Sequence, residues 1–584
     1  MIRKLVRQML TAQVFSALTV SLCLLIDSIM IGRFLKEDGI AAYGLANPLL
    51  LAIGAIGSLL AAGIQVTCSR SLGKGSQEET NEGYSSAIVI AGGISLAFTL
   101  VALVLCGPLA RVMGAGSDGT LYDYTKGYIA GFSIGAPGSM GALVLIPFLQ
   151  MAGQSRLLIA AVLTMTVADI GLDLLNVLVF HGGMFGMGLA SALSYYAAIG
   201  VTMIYFCSRD CVFRLSFRKV TRSKLTELFT SGIPAGFSMA AAVVLVFLVN
   251  QILMGLGADA GKAGVAAYSV ISTIGNSAQC INTGTGGVSL TLAGILYNEE
   301  DRTGLRDLLK VLFRYAVWMG LAMGAVLMIF AETFVSLFIV DNEETMRMAA
   351  TGLRIYAACL IPCCLSAALK NAYQATEHVF VTVGMALSGG AFLPALAAFV
   401  CSRIWGLTGV WLHPAIGEIL TLALLAVFLR TTLKGKLDWR RPDTWLMLRE
   451  DFGAAEQELM EADIHMLEEV TAVAEKAEAF CRERSSDSRL SNHIALCIEE
   501  MAANTIQHGF DRDGKKHNLS VRLLHKKDHW IIRFRDDCRA FDPVHYIPKE
   551  GEDAVGIRLV MALAEEARYT YSMNLNNLYL KIRC

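Results

Sequence analysis

The amino-acid sequence predicts an all-α polytopic membrane domain of twelve transmembrane helices, followed by a soluble α/β domain. The chain has 584 residues, of which 54% are hydrophobic and 17% charged, and its mean hydropathy of +0.53 is too high for a soluble protein of this length. The charged residues are concentrated after residue 430, where the long apolar runs end. This change of composition marks the boundary between the two parts.

Twelve apolar stretches are long enough to cross a bilayer, which takes about 20 residues in a helix. They lie near residues 9–34, 43–69, 86–108, 121–149, 157–180, 187–207, 230–256, 264–297, 311–338, 346–374, 379–401 and 405–430. The basic N-terminus leads into the first stretch without a small-residue cleavage site, so we expect a first span rather than a cleaved signal.

Basic loops predict the orientation of these spans in the inner membrane. The loop between the sixth and seventh stretches carries six basic residues between Arg209 and Lys224, whereas the loop after the fifth has no charge apart from His181. By the positive-inside rule, the N-terminus, the six-seven loop and everything after Arg430 are cytoplasmic.

The two halves of the membrane domain resemble each other at an offset of about 223 to 225 residues. IMIGRFLKEDGIAAYG, from residue 29, is similar to ILMGLGADAGKAGVAAYS, from residue 252. Transporters that are built from internal repeats place their substrate and ion sites near the midplane of the membrane, between the halves. We therefore expect two six-helix lobes, residues 1–215 and 216–435, then a linker, 436–454, and a C-terminal domain, 455–584. At this offset Asp27 corresponds to Asn250, so the acidic site belongs to the first half alone.

Three acids lie inside apolar spans: Asp27 in the first, and Asp169 and Asp173 in the fifth. An ionised carboxylate at the centre of a membrane helix costs about 2.5 to 3.5 kcal/mol on insertion scales, so it usually faces a polar interior and handles ions, protons or substrate. Asp169, Asp173 and Asn176 share one helical face. Close carboxylates tend to share a proton or a cation, as ion coupling requires. The alternative is that the acids are helix-end residues reaching for the membrane interface.

Composition excludes other classes. The net charge is -1 and the basic residues are dispersed, which argues against nucleic acid as a partner. The fourteen Cys form no CxxC pairs, so neither a zinc site nor a disulfide framework is expected. The glycine-rich pieces GTGGVS and SGGAF, near residues 284 and 388, are either unwound hinges or, as we favour, places of close helix packing.

Several stretches resemble signature segments of the multidrug and toxic compound extrusion (MATE) family of transporters. They are LLIDSIMIGRFLKEDGIAAYGLANPL, QMAGQSRLLIAAVLTMTVADIGLDLL, GMFGMGLASALS and SGIPAGFSMAAA. The resemblance covers residues 1 to about 430. It implies alternating access and export of organic cations or similar amphiphiles against inward H+ or Na+ flow, with no cofactor. It also implies a first-lobe coupling site at Asp27 and Asp173.

The sequence departs from the family pattern at one coupling position. In the family, the fifth span usually reads Asn-x-x-x-Asp, whereas here it reads Asp169-x-x-x-Asp173. The extra acid leaves open whether the coupling ion is H+ or Na+. The second-lobe carboxylates of one branch of the family have no counterpart in SGIPAGFSMAAAVVLVF. Glu418, in the twelfth span, is either a gate residue or a helix-end residue.

From about residue 455 the pattern is that of a soluble α/β domain. EEVTAVAEKAEAFCRER and RLSNHIALCIEEMAANTIQHG predict amphipathic helices, NLSVRLLHKKDHWIIRFRDD predicts two strands around a turn, and ARYTYSMNLNNLYLKIRC predicts a hairpin turning at Asn576-Asn577. Glu500, Asn504 and His508 share one helical face, where a carboxylate could act as base and an amide oxygen could hold Mg2+ beside a triphosphate.

The order of these residues, with Asp536 in RDDCRAFDP and VGIRLV from residue 555, resembles the Bergerat-type ATP-binding fold of histidine kinases, most closely its anti-sigma-factor serine kinase branch. The resemblance implies Glu500 as general base, Asn504 as Mg2+ ligand, His508 and Asp536 at the nucleotide with Asp536 reading adenine, and a phosphate loop from Gly556.

Two glycines expected in that fold are replaced, by Cys538 and Arg558. Side chains there oppose the close approach of backbone to nucleotide, so we expect Mg-ATP binding to be weak or lost. Whether the domain keeps protein-kinase activity is left open, and a cytoplasmic protein partner is the other role expected of it.

The leading hypothesis is a secondary antiporter for small amphiphilic or cationic substrates, with a regulatory or docking domain in the cytoplasm. No Walker A sequence occurs in the chain, so we do not expect ATP to drive transport. One alternative makes the spans a sensor for a serine-kinase or partner-binding output domain. Another makes the protein a flippase for a lipid-linked substrate.

Overall fold

The computed structural model describes residues 2–583 except 75, 114, 116–118, 210, 216–219, 256–257, 339–342, 436, 450–451, 454–457, 486, 511–515, 527 and 548–554. The helices of the membrane domain are α1 Ile2–Gly73, α2 Gln77–Val104, α3 Cys106–Val112, α4 Thr120–Ile134, α5 Ala136–Met151, α6 Ser155–Leu175, α7 Gly183–Phe206, α8 Arg222–Met254, α9 Ala258–Ala278, α10 Cys280–Asn298, α11 Arg302–Ser336, α12 Glu343–Tyr356, α13 Leu360–Ala375, α14 Val379–Leu387, α15 Leu393–Trp411 and α16 His413–Leu433. Two π-helical turns, Asn176–Phe180 and Ser388–Phe392, and two 3-10 turns, Ala357–Cys359 and Pro442–Leu446, complete the set.

The membrane domain is all-α and polytopic, as predicted. Among the described residues, nine helices are long and apolar enough to cross a membrane, or ten if α4 and α5 form one broken span. That pair is bent by 46°. The break falls at Gly135, two residues before Pro137 in the first turn of α5, whose ring removes a backbone donor.

The helix α1 contains both of the first two predicted spans and the loop expected between them. A straight helix of 72 residues would be about 108 Å long. Its two ends are instead close together, since Arg3 and Lys74 line the same cavity. The chain within α1 therefore runs away from this cavity and returns to it.

The two halves of the membrane domain are in close contact at the end where α1 starts and finishes. Small residues on α1 allow its backbone to approach the second half: a Cβ on Gly63 would overlap the backbone of α8, and one on Gly73 would lie 2.6 Å from the carbonyl oxygen of Ile295. Arg70 also forms an ion pair with Glu377 at 3.3 Å. The halves are thus closed against each other at this end.

The two glycine-rich pieces have different structures. GTGGVS lies within the regular helix α10, where a Cβ on Gly284 would lie 3.2 Å from the backbone nitrogen of Val14 and one on Gly286 2.6 Å from the side chain of Asn371. This piece therefore serves close packing. SGGAF forms the π-helical turn Ser388–Phe392, a local widening of the helix of the kind that often occurs at functional sites.

The C-terminal domain is a single antiparallel sheet with helices on one face. Its elements are β1 Leu459–Ile464, α17 Glu468–Arg482, α18 Ser488–Gly509, β2 Leu519–Lys526, β3 His529–Asp536, α19 Val555–Leu563, β4 Glu566–Ser572 and β5 Leu575–Arg583. The strand order is β1-β2-β3-β5-β4. Alternate strand residues such as Val521, Ile532 and Leu580 are buried against α17 and α18, whose faces carry Val470 and Ile498 respectively. The predicted helices and the predicted β2–β3 pair are confirmed.

The last hairpin turns at Met573–Asn574, so the prediction of a turn at Asn576-Asn577 was wrong. Both turn residues have positive φ, 56° and 59°, as a tight two-residue turn between twisted strands requires. Asn576 instead lies within β5, where it is buried and hydrogen-bonded. The Asn-Asn pair was therefore misread because its polarity serves the interior of the domain.

The predicted domain limits fall at or next to residues outside the described ranges. The boundary at 215/216 meets the gap 216–219, the boundary at 435/436 meets residue 436, and the boundary at 454/455 lies within 454–457.

Candidate functional site

Three carboxylates of the first half lie inside the membrane domain. Asp27 of α1 and Asp169 and Asp173 of α6 are 7%, 3% and 1% exposed. Such burial does not fit side chains that reach for the interface from helix ends. Asp169 and Asp173 lie one helical turn apart, as their spacing predicts.

The three carboxyl groups interact with one another. The side chain of Asp27 contacts that of Asp169 directly and lies within the electrostatic field of Asp173. Neither carboxylate oxygen of Asp173 has a hydrogen-bond partner among the described residues. Three adjacent buried acids cannot all be ionised without a counter-charge. The cluster can therefore hold protons, or share a cation.

Tyr128 of α4 was not singled out from the sequence, yet its hydroxyl interacts with the charges of both Asp27 and Asp173. Its ring is buried and makes an edge contact with Tyr43 at 5.5 Å between centroids. A tyrosine in an apolar span gives no contrast by which sequence could identify it.

Asn176 begins the π-helical turn at the end of α6, and its side chain makes two hydrogen bonds to the following turn. Its Nδ2 donates to the carbonyl of Gly183 at 3.1 Å, and its Oδ1 accepts from the N–H of Gly182 at 3.1 Å. It therefore fastens the end of α6 to the start of α7.

The second half carries one acid and one base in its interior in place of an acid cluster. Glu418 of α16 is hydrogen-bonded to Ser366 and interacts with the charge of Lys370 on α13. The ammonium of Lys370 also donates to Ser238 at 3.3 Å. Glu418 lies in the interior rather than at a helix end, and Lys370 was missed because one lysine near the end of an apolar span reads as an interfacial residue.

The nucleotide-type residues of the C-terminal domain gather where α18, α19 and the end of β3 meet. Glu500 and Asn504 lie one turn apart on α18, with His508 exposed in its last turn. Gly556, in the first turn of α19, is so close to Glu500 that a Cβ there would overlap its carboxylate. The helical spacing thus brings Glu500 to the predicted phosphate segment. The described residues contain no group of three or more His, Cys, Asp or Glu arranged to hold a metal ion.

Asp536, the predicted adenine-reading acid, ends β3 and is buried. Its Oδ1 accepts from the Nδ2 of Asn576 at 2.7 Å and from the N–H of Cys538 at 3.0 Å. Burial raises the pKa of Asp536, and the hydrogen bond from Asn576 opposes that rise. Cys538 fills the space beside Gly509, where a Cβ would meet its Sγ at 2.9 Å.

A second contact region joins the sheet to the end of the membrane domain at which α1 starts and finishes. We call this end, formed by residues 3–4, 72–74, 151–153 and 299–301, the docking face. The turn between α10 and α11 presents three consecutive acids, each paired with a base of the sheet: Glu299 with Arg535, Glu300 with Lys526 and Asp301 with Arg522.

The pKa of Asp301 shows how strongly this region favours the ionised acid. Burial alone would raise that pKa, but the charges of Arg522 and Arg535 and a hydrogen bond from the N–H of Gly304 lower it overall. A lowered pKa means that the stabilisation is complete above the ordinary value for an aspartate and is lost only as the pH falls through the lowered one. The pairing is therefore at full strength at neutral pH.

The sheet also contacts the first half of the membrane domain. The contacts are the N–H of Met573 to the carbonyl of Met151 at 2.7 Å, the Nδ2 of Asn574 to the carbonyl of Gly153 at 3.1 Å, the Nη1 of Arg568 to the carbonyl of Lys74 at 2.7 Å, and the ion pair of Lys4 with Asp537 at 3.0 Å. Gly153 has a φ of +75°, and a Cβ there would lie 2.6 Å from Met573. The C-terminal domain therefore touches both halves at once.

Family comparisons agree with both parts of the chain. The family model MatE matches residues 13–175 and 234–399, once in each half. A model described as a histidine kinase-like ATPase domain matches residues 465–582. The MatE segments cover more than half of the chain.

Named relatives and solved structures point the same way. The chain is 27% identical over 414 residues to the multidrug export protein MepA of Staphylococcus aureus, which covers 69% of this chain and 88% of that protein. It is 25% identical over 412 residues to MepA of Staphylococcus haemolyticus, covering 70% and 88%.

The fold is similar to that of solved MATE transporters. A structure described as an outward-facing conformation of a multidrug resistance MATE family transporter has a TM-score of 0.67 at 19% identity, covering 74% of this chain and 96% of that one. The Vibrio cholerae MATE transporter VcmN in its bent form has a TM-score of 0.66 at 18% identity, covering 74% and 97%. At these identities the likeness shows the fold. The chain is a membrane protein of the MATE family that carries a histidine kinase-like ATPase domain at its C-terminal end.

Proposed function

We propose that the protein is a secondary antiporter that exports amphiphilic or cationic small molecules in exchange for H+ or Na+. The observation that carries this proposal is the buried cluster of Asp27, Asp169 and Asp173, which interact with one another inside a membrane domain. The relatives named as multidrug export proteins support the substrate class.

In this proposal the cluster stores the coupling ion. Asp27 and Asp173 bind it and Asp169 adds a third negative charge beside Asp27. Tyr128 supplies a hydroxyl next to the ion, and Asn176 positions the end of α6 through its bonds to the following turn. Ion binding lowers the negative charge of the cluster, and release raises it again, so the two conditions favour different arrangements of α1 and α6.

The membrane topology belongs to the same proposal. Twelve spans form two lobes, residues 1–215 and 216–435, and both termini are cytoplasmic. Two features support it: the two ends of α1 meet at the docking face, as they must if the first helix crosses twice, and the family model matches the two halves separately. The docking face is then the cytoplasmic end of the transporter.

We also infer a regulatory role for the C-terminal domain, residues 455–584 after the linker 436–454, and assign it a Bergerat-type fold. The domain is fastened to the second lobe by three ion pairs and to the first lobe by Met573, Asn574 and Arg568. The lobes must separate at the cytoplasmic end to open a path inward. A domain that binds both lobes at this end therefore keeps the end closed.

Reconstituted vesicles test the coupling proposal. Wild-type protein should move a fluorescent organic cation when a proton or sodium gradient is imposed without ATP, and the gradient that works identifies the ion. Asp173→Asn and Asp27→Asn should abolish gradient-driven transport, because a neutral amide cannot exchange an ion. Asp123→Asn, which changes an exposed acid at the start of α4, is the matched control and should transport normally.

The Asp169→Asn variant separates a primary ligand from a neighbour. It restores the Asn-x-x-x-Asp pattern of the family, so we expect a smaller loss of transport and a changed ion preference. Normal transport by both Asp27→Asn and Asp173→Asn would refute the coupling site. Transport that occurs only when ATP is present would instead favour a sensor or an ATP-driven transporter.

A further inference from the structure

A cavity of about 580 Å³ lies between the polar face of the sheet and the docking face. That volume is within the range of small-molecule sites, about 300 to 1,000 Å³. The helices α17 and α18 cover the opposite face of the sheet, and α18 carries the nucleotide-type residues. The cavity is therefore separate from the candidate ATP site.

The floor of the cavity is built from cross-strand rows of the sheet. One row crosses all five strands and consists of Glu461, Arg522, Arg533, Tyr579 and Arg568. Arg522 and Arg533 are direct neighbours in it, and like charges in that position repel. Arg522 is neutralised by two acids, whereas Arg533 has no ion-pair partner among the described residues.

Arg533 is a floor cation whose hydrogen-bonding capacity is incompletely used by the described residues. Its Nε is buried and has no hydrogen-bond partner in the described part of the chain. Its guanidinium carbon lies 5.6 Å from the ring centroid of Tyr579, on whose ring Arg568 also approaches to 5.6 Å. Burial lowers the pKa of Arg533, which shows the electrostatic cost of this position. A buried donor without an acceptor is destabilising, and an anion in the cavity would remove that penalty.

The roof adds further cations without ion-pair partners among the described residues. They are Arg3, Lys74, Lys310 and Arg314. Lys310 and Arg314 are one turn apart on the first part of α11, so they face the cavity together. Among the described acids that line the cavity, only Asp307 and Asp463 have no ion-pair partner. The unpaired charges that line the cavity, among the described residues, are therefore five cations and two acids, so positive charge is in excess there.

We propose that this cavity binds a small phosphate-bearing anion, held between Arg533 on the sheet and Lys310 and Arg314 on α11. A planar guanidinium group can donate two parallel hydrogen bonds to two oxygens of one phosphate. The cations of the floor and of the roof would contact such a phosphate from opposite sides. The phosphate can belong to a soluble polyphosphate or to the headgroup of an anionic lipid, since the roof lies at the end of membrane-spanning helices. Bound there, the anion joins the two domains.

Calorimetry with inorganic pyrophosphate on the purified full-length protein, in nanodiscs of phosphatidylcholine, tests the soluble source. Arg533→Gln and Arg314→Gln should each weaken binding about ten-fold, the effect of losing one charge-assisted contact. Arg489→Gln, which removes an exposed charge at the start of α18, and Asn504→Ala, in the candidate ATP site, should bind as wild type does. Arg314→Gln keeps the test valid if Arg533→Gln fails to fold.

Nanodiscs that contain phosphatidylglycerol test the lipid source. If the lipid headgroup is the ligand, they should raise the thermal unfolding temperature of wild-type protein above its value in phosphatidylcholine, and this gain should disappear in Arg533→Gln and Arg314→Gln. The proposal is refuted if wild type and these variants have the same affinity for pyrophosphate and the same gain in unfolding temperature with phosphatidylglycerol. It is also refuted if Arg489→Gln loses as much pyrophosphate affinity, or as much of that gain, as these variants do. Neither readout involves transport, so a failure of the coupling site leaves both unchanged.

Discussion

At the residue scale, the nucleotide-type site combines retained and altered chemistry. Glu500 and Asn504 keep their places on α18, and Glu500 touches the glycine that begins the predicted phosphate segment. The Oδ1 of Asp536 is already occupied by Asn576 and the N–H of Cys538. Arg558 lies exposed on α19, at a position where the related fold has a glycine.

We predict that the protein binds Mg-ATP weakly or not at all, and that Arg558→Gly increases the affinity. The reason is steric, since a missing side chain allows backbone N–H groups to approach phosphate. Calorimetry on the full chain measures this. Micromolar binding by wild type that Asn504→Ala removes would contradict the prediction and favour an ATP-sensing or kinase role.

The residues that could be predicted are those whose chemistry contrasts with their surroundings. Asp27, Asp169 and Asp173 were recognisable because a charge in an apolar run is costly, and their burial is what that cost predicts. Tyr128 and Lys370 gave no such contrast. The acids Glu299 to Asp301 looked like an ordinary polar loop, because only the folded sheet shows that three bases are placed opposite them.

At the element scale, helix packing between the halves depends on glycine. Gly63 of α1 packs against α8, and Gly232 of α8 packs against the carbonyl of Leu59 so closely that even a methyl group would overlap it. Backbone cannot yield as a flexible side chain can. These glycines therefore set the distance between α1 and α8.

We expect Gly232→Ala to lower the thermal stability of the membrane domain, because overpacking against backbone costs about 1 to 3 kcal/mol. The melting temperature of the purified protein, followed by size-exclusion chromatography after heating, measures the effect. Gly92→Ala on α2 is the matched control, since a Cβ there meets nothing within 4 Å. Equal melting temperatures for the two variants would show that α1 and α8 are not held this closely.

The periodicity of apolar residues predicted whether a segment is a helix or a strand more reliably than it predicted where the segment begins and ends. Apolar length predicted the membrane helices, and alternation predicted β2 and β3, because each pattern reflects one buried face. The α4–α5 break was not predicted, although Gly135, two residues before Pro137, is a local signal for it. The turn at Met573–Asn574 was missed because methionine rarely adopts positive φ, and here the flanking strand pairs impose it.

At the scale of the whole molecule, the C-terminal domain rests across both halves of the membrane domain. The N–H of Met573 bonds to the carbonyl of Met151, so the exchange rate of this one amide reports whether the domain is docked. The ion pair of Arg535 with Glu299, whose side chains are 21% and 11% exposed, is a largely buried contact that can be tested by exchanging the two charges.

We predict that Glu299→Arg releases the domain and speeds exchange at Met573, because placing like charges together costs on the order of several kcal/mol. Arg535→Glu should do the same, and the double variant should restore slow exchange. Hydrogen-deuterium exchange measures all three, with Glu475→Arg on the exposed side of α17 as control. If transport is limited by this contact, both single variants should also transport faster. Unchanged exchange in either single variant would contradict the docked arrangement.

The chain that leads into the C-terminal domain is itself anchored. Leu446, in the 3-10 turn after α16, is completely buried, and the hydroxyl of Tyr373 donates to the carbonyl of Trp445 at 2.6 Å. From Leu446 to the start of β1 at Leu459 an extended chain spans at most about 45 Å. A released domain therefore stays near its partner at an effective concentration in the millimolar range. Docking of modest intrinsic affinity is then sufficient, and a ligand that prefers one state by about 3 kcal/mol would shift the populations more than a hundred-fold.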